Sequence, residues 1–332
     1  MFGILRFFLA SLVVLSHAGV VYGHFNPGPM AVVVFYIISG YVVSYLIDKR
    51  IHGVILKSFY AERFFRIYPQ FYFHLALSVA FILGTAHISR YSEVRPDAQS
   101  IFINLTLLPL QAKAFFGYLT GLLYVPTSWS LSLEASVYVL APFLLRSRTL
   151  DVAAWLSFGI FVLAVLGKLP MQPHTFSYAT IFGTLHFFIV GTWLQRRQFQ
   201  KIGLWVGLML LAGALAAVFA SWRSPHVAEV FVGGVLGIAI VAALKDVEAS
   251  RLKRLDAFLG RISYPVFLNH FLIIWSFELL GWEVKAVAGQ AAILGISWVF
   301  GGIAYHVVER PLDAFRRSLR GSRLPNSLPE NV

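Results

Sequence analysis

Arg6 and His17 are the first residues along this chain whose types and spacing could do chemistry. They lie eleven residues apart in the apolar stretch Met1-Phe-Gly-Ile-Leu-Arg6-Phe-Phe-Leu-Ala-Ser-Leu-Val-Val-Leu-Ser-His17. At 100° per residue, eleven residues make three turns plus about 20°, so a helix carries both on one face, roughly 16 Å apart along its axis. Ionisable side chains inside a bilayer are costly and mark sites or pathways. A second such stretch reads Pro126-Thr-Ser128-Trp129-Ser130-Leu-Ser132-Leu-Glu134. Glu134 falls about 9 Å in from the outer surface and His17 about 8 Å in. An imidazole and a carboxylate at matching depth predict a dyad, with His17 as general base and Glu134 holding the ring and stabilising its protonated form. A purely structural pair ranks second, because a buried ion pair is a poor stabiliser.

Other polar groups punctuate the apolar sequence. Ser58-Phe-Tyr-Ala-Glu62-Arg63-Phe-Phe-Arg66-Ile-Tyr-Pro69 is amphipathic, and Arg63 and Arg66, three apart, share a helical face. Two arginines there could bind anionic lipid or grip a ligand phosphate, which guanidinium suits. Pro69 is expected to reset the chain before the next span. In Tyr36-Ile-Ile-Ser39-Gly40-Tyr41, Ser39 and Gly40 read first as small residues for close helix packing, while the tyrosines could line a cavity. Ile262-Ser263-Tyr264-Pro265-Val266-Phe267-Leu268-Asn269-His270 opens another span, with Pro265 expected in its first turn. His186 and His270 read as lone, hydrogen-bonded packing residues. His306-Val-Val-Glu309-Arg310-Pro311 reads as a helix stop.

The elements that must position these residues are membrane helices. Hydrophobic residues make up 58% of the 332 and charged ones 13%, about half the charge of a soluble domain. Apolar blocks approach the roughly 20 residues needed to cross hydrocarbon. Ten spans are predicted, near 4–22, 30–47, 69–86, 128–145, 151–167, 178–195, 202–220, 226–244, 262–280 and 286–308. With the N-terminus inside, the inner segments hold 20 Lys/Arg and the outer ones 6, so both termini are expected in the cytoplasm. That bias explains the net charge of +12 without nucleic acid. The absence of cysteine excludes disulfides, thiolate metal sites and a cysteine acyl-enzyme.

The longest segment between spans, 87–127, is partly apolar but divided by Pro109 and Lys113. Counting it as a span would put Arg146 and Arg148 outside, so it is expected to form interfacial helices on the outer face, roofing a cavity. A signal peptide is not expected at the N-terminus, since its apolar run is of span length and a second span follows closely. The expected organisation is one membrane domain, 1–311, and a basic cytoplasmic tail, 312–332.

In order, spacing and membrane side, these motifs resemble the acyltransferase-3 family of multi-pass membrane O-acyltransferases, over nearly the whole chain from Arg6 to Pro311. The match comprises Arg6 with His17, Tyr36 to Tyr41 (with Tyr36 where the family often has Phe), Arg63 with Arg66, Trp129-Ser130-Leu131 with Glu134, Ser263 to His270, and Glu309 to Pro311. The fused extracellular hydrolase-like domain that some members carry is not expected here.

The resemblance implies an all-α integral membrane enzyme of the bacterial cytoplasmic (inner) membrane. It implies transfer of an acyl group, most often acetyl, from cytoplasmic acyl-CoA to a hydroxyl of a surface or lipid-linked glycan, with no metal. Arg63, Arg66 and Arg6, with Tyr264, would hold the acetyl-CoA donor; the arm would run up the Arg6–His17 face. Trp129, Ser130, Tyr41, Ser39 and His270 would meet the acceptor substrate, and membrane lipids would surround the whole. Ser130, Tyr264 or a backbone N–H could stabilise the oxyanion, and transfer could be direct or through an acyl-His or acyl-Tyr. The alternatives are a proton-coupled exporter of a glycan or small metabolite, and an acyltransferase for a secondary metabolite. Against export, the two halves show no repeat and no paired broken helices.

Overall fold

A computed structural model of the chain describes residues 1–50, 56–145, 149–218, 226–247 and 252–320. Among these there is no strand, only an isolated bridge between Tyr22 and Phe25. The helices are α1 (Phe2–His17), α2 (Pro27–Arg50), α3 (Leu56–Thr85), α4 (Ala98–Thr106), α5 (Ser128–Leu144), α6 (Leu150–Val165), α7 (Pro173–Tyr178), α8 (Ile181–Gln195), α9 (Phe199–Val218), α10 (Val227–Leu244), α11 (Lys253–Leu279), α12 (Val287–Ala304) and α13 (Arg310–Arg320). Every expected span overlaps a helix among the described residues. Among the described residues, seven helical stretches are long and apolar enough to cross a membrane, while α1 and α6 are shorter apolar helices and α5 has 17 residues. The inner segment with Arg146 and Arg148, and the tail beyond Arg320, lie outside the described residues.

Three expectations need correction. First, α1 ends at His17, five residues earlier than expected, because the chain turns at Gly19, whose φ of +95° only glycine adopts without strain. Second, α3 and α11 run straight through Pro69 and Pro265. Each proline deletes one helical hydrogen bond. Surrounding helices tolerate this in membrane proteins by re-satisfying the freed groups. Third, Glu309-Arg310-Pro311 is not a stop: one π turn, Tyr305–Glu309, carries α12 directly into α13. Pro311 lies in this continuous helix directly after the π turn.

The chain forms two compact units, and the division falls within α5. The second unit, Val21–Val54 with Ser136–Val247, is organised around α2. A Cβ on Gly40 would lie 1.8 Å from the Phe188 carbonyl oxygen, and one on Gly191 would lie 2.1 Å from that of Ile37. The small residues of α2 and α8 therefore let the two backbones touch, as expected for Ser39-Gly40. His186 is a packing histidine, as expected: it is buried, and Trp205 Nε1 donates to its Nδ1 at 3.1 Å. At one end of α2, Asp48 accepts two hydrogen bonds from Arg196, at 2.8 and 3.0 Å.

The first unit, Met1–Val20, Ile55–Ala135 and Glu248–Val332, contains α1, α3, α4, the start of α5, and α11 to α13. The segment expected to form a roof folds into α4 and two 3-10 helices, Leu108–Ala114 and Gly117–Leu122. Asp97 and Ser100 form a capping box at the start of α4. Asn104 Nδ2 donates to Leu122 O at 2.7 Å, and Ser132 Oγ on α5 donates to Leu108 O at 2.7 Å. These bonds satisfy backbone groups that such short helices would otherwise leave unpaired.

Candidate active site

The register of α1 against α11 builds the site. Asp256 Oδ1 accepts the Ile4 N–H at 2.9 Å, capping α1 with a carboxylate where the helix has free N–H groups. Gly3 permits this approach, since a Cβ there would meet the Asp256 carbonyl oxygen at 1.9 Å. At the other end, His17 Nδ1 faces His270 Nε2 at 3.0 Å. From Gly3 to His17, and from Asp256 to His270, is fourteen residues. The two helices are therefore parallel and in step for about 21 Å. Trp298 Nε1 donates to Ser11 Oγ at 3.0 Å from α12, beside this pair.

His17 and His270 stack with ring centroids 5.0 Å apart and planes 12° apart, and Phe271 packs on both at 4.7 and 4.8 Å. His270 is fully buried, whereas His17 as a residue is exposed. The hydrogen-bond partner that the structure gives His17 is thus His270, which is buried and hydrogen-bonded as expected. One imidazole must donate and the other accept across this contact. When His17 donates from Nδ1, its Nε2 is left as an acceptor, the state a general base requires.

Residues of α5 stand on the same side of the unit. Thr127 Oγ1 donates to Phe267 O at 3.4 Å, tying the start of α5 to the turn before His270. Trp129 is partly exposed, with Lys113 Nζ 4.4 Å from its ring centroid. Ser130 is buried and its hydroxyl donates to Thr127 O at 2.9 Å. Glu134 is partly buried and lies one helical turn from Ser130, on the same face of α5.

At the opposite end of the unit the arginines have carboxylate partners. Arg66 Nη1 lies 3.1 Å from Glu309 Oε2, and Arg63 Nη2 lies 3.1 Å from Glu62 Oε1. The Arg66 guanidinium also lies 5.8 Å from the Tyr264 ring centroid, and the Tyr264 hydroxyl donates to Ile67 O at 2.9 Å. Both hydroxyls proposed for oxyanion stabilisation are therefore bonded to carbonyls here. Glu309 is the last residue of the π turn; such bulges recur at functional sites because they re-aim a side chain. Tyr264 and His270 are six residues apart on α11, so the arginine end lies about 9 Å along that helix from the imidazoles. Arg6, eleven residues before His17 on α1, is partly buried. Ser39, buried, and Tyr41, partly exposed, belong to the second unit.

Sequence reasoning missed the His17–His270 and Arg66–Glu309 contacts. The only sequence signal for either was that each residue sat in a motif. The fourteen-residue spacing becomes informative only once α1 and α11 are known to be parallel.

Such a molecule is a polytopic helical membrane protein with two imidazoles in contact at one end of its first helix. The chain belongs to the acyltransferase-3 family, whose model, described as an acyltransferase domain, matches residues 2–307. It is 24% identical to Nodulation protein 10 of Rhizobium leguminosarum bv. viciae, over 97% of this chain and 95% of that protein. It is 26% identical to an uncharacterized protein of Aquifex aeolicus (strain VF5), over 59% of this chain and 90% of that one. No solved structure matches.

Proposed function

We propose that this membrane acyltransferase moves an acyl group, most often acetyl, from cytoplasmic acyl-CoA to a hydroxyl of a surface or lipid-linked polysaccharide. The proposed location is the bacterial inner membrane, with both termini cytoplasmic. The observation that carries the reading is the contact of His17, an exposed residue at the end of α1, through its Nδ1 with the Nε2 of buried His270. Family membership favours transfer over export, and the rhizobial relative's name, a nodulation protein, is compatible with a glycan at the cell surface.

In this reading the acceptor hydroxyl oxygen attacks the thioester carbonyl carbon while His17 Nε2 takes its proton. The tetrahedral intermediate then collapses, the C–S bond breaks, and the imidazolium returns the proton to the departing sulfur. The products are the ester and free CoA. His270 keeps the His17 ring in the accepting tautomer, and Glu134 supplies negative charge against the imidazolium. Arg63, Arg66 and Tyr264 hold the phosphate end of the donor, with Arg6 along the path. Because Arg66 pairs with Glu309 through one contact, a donor phosphate must take over that guanidinium from the carboxylate, and a phosphate can accept from it in bidentate fashion. Trp129 and Ser130 line the acceptor side with His270.

The test is thiol release from acetyl-CoA by protein in lipid nanodiscs, with an oligosaccharide acceptor. The chain has no cysteine, so every thiol detected is product. Acceptor-dependent release by wild type and none by His17→Ala, with acetyl-CoA still bound, is the expected result. Equal release by both would remove His17 from the reaction.

A further inference from the structure

Lys113 and Arg90 take no part in the steps above, yet both stand beside the imidazoles. Lys113 Nζ sits over the Trp129 ring at 4.4 Å. The Arg90 guanidinium sits over Tyr91 at 4.6 Å, and its Nη2 donates to the Tyr91 hydroxyl at 2.6 Å. Tyr91 packs on Phe271 at 5.2 Å, and Phe271 packs on His17 at 4.7 Å. Both cations are within electrostatic reach of His17, and Arg90 is within reach of Lys113.

Two like charges this close repel one another, and among the described residues neither makes an ion pair. What holds each is an aromatic face, which fixes a cation without neutralising it. Lys113 cannot easily swing away: its 3-10 helix is pinned to α5, where Ser132 Oγ donates to Leu108 O and accepts the Gln111 N–H at 3.2 Å. Burial, and then Arg90, push the Lys113 amine down to about 7, the response of a cation that lacks its counter-charge. A protein that keeps two cations on aromatic faces, without carboxylate partners among the described residues and within electrostatic reach of His17, has a place for an anion.

We infer that Lys113 and Arg90 form an anion cradle on the roof side of His17, which recognises a carboxylate or phosphate carried by the acceptor near the hydroxyl that is acylated. This deepens the acyl-transfer reading and rests on it. The preferred acceptor is then an acidic glycan, such as one containing uronic acid, or a glycan still attached to its lipid phosphate. Trp129 and Tyr91 position the two cations; the imidazoles await the hydroxyl between them.

The experiment measures binding and transfer separately, on the full chain in nanodiscs. The probes are an oligogalacturonide, the same oligosaccharide with its carboxyls reduced to alcohols, and a polyprenyl monophosphate in the disc. By calorimetry, wild type is expected to bind the acidic oligosaccharide at least about tenfold more tightly than the reduced one, as a charge-assisted hydrogen bond allows. Lys113→Gln and Arg90→Gln should each abolish that preference, and Lys113→Arg should retain it, which shows that loss is not misfolding. If polyprenyl phosphate binds in a Lys113-dependent way and the oligogalacturonide does not, the anion is the lipid's. Equal binding of acidic and reduced sugars with no Lys113-dependent phosphate binding, or preferences untouched in the Gln variants, would overturn the cradle. Charge-dependent binding without acyl transfer to any acceptor would leave the cradle standing and refute the transfer reading.

Discussion

The His17–His270 contact divides the labour between two imidazoles. In the proposed reaction His17 offers the reacting nitrogen, so His17→Ala should lower kcat by about 10²-fold or more, the usual worth of a positioned general base. His270 acts through His17, so His270→Ala should lower kcat with little change in the KM for acetyl-CoA. A parallel rise in that KM would mean that His270 supports the fold instead. Glu134→Gln, which keeps shape and removes charge, should also slow turnover strongly while acetyl-CoA binding persists. Lys113 supplies a pH test. Its amine, at about 7, is charged below that pH and neutral above it, whereas neighbouring Arg90 stays charged throughout. His17 and His270 face the same space, so a control is needed. Oligogalacturonide affinity should fall as pH rises through about 7 in wild type and stay flat in Lys113→Arg. An equal fall in both would assign the titration to the imidazoles. The type and helical face of Arg6, His17, Arg63 and Arg66 were legible in the sequence, because i,i+3 and i,i+11 spacings are properties of one helix. Their partners were not, because His270 and Glu309 lie 253 and 243 residues away and are brought in only by packing.

At the scale of elements, backbone contact decides which helices meet. Gly40 touches the Phe188 carbonyl so closely that Gly40→Val must separate α2 from α8. Overpacking of this kind costs about 1–3 kcal/mol, and the expected outcome is a lower melting temperature in detergent. An unchanged melting temperature would mean that the two helices part freely. The π turn is a second such element. By re-aiming Glu309 at Arg66, it closes the arginine end. Glu309→Gln leaves a guanidinium without its counter-charge, a change that destabilises by about 3–5 kcal/mol when the pair is buried. Acetyl-CoA that binds through Arg66 should restore part of the lost stability, and a thermal shift with and without donor reads this directly. The ends of elements were the least legible part of the sequence. Pro69 and Pro265 read as breaks, yet both lie inside helices. In a membrane, neighbouring helices re-satisfy the bond that proline removes.

Across the whole molecule, the architecture follows from the hydropathy blocks and the Lys/Arg bias. Because α1 and α11 are parallel, His17 and His270 share one side of the unit, while Asp256 and the start of α1 share the other. The charge bias predicts that the latter side is cytoplasmic. A C-terminal fluorescent-protein fusion should therefore fluoresce and a periplasm-dependent phosphatase fusion should be inactive; the opposite pattern would invert the membrane and with it the donor and acceptor sides. That His17 is the base of acyl transfer is tested most directly by the O-acyl content of the host's surface polysaccharide, measured by proton NMR. Strains lacking this protein would be complemented with wild type or His17→Ala at matched expression. The account predicts ester signals restored by wild type alone; restoration by both proteins would contradict it.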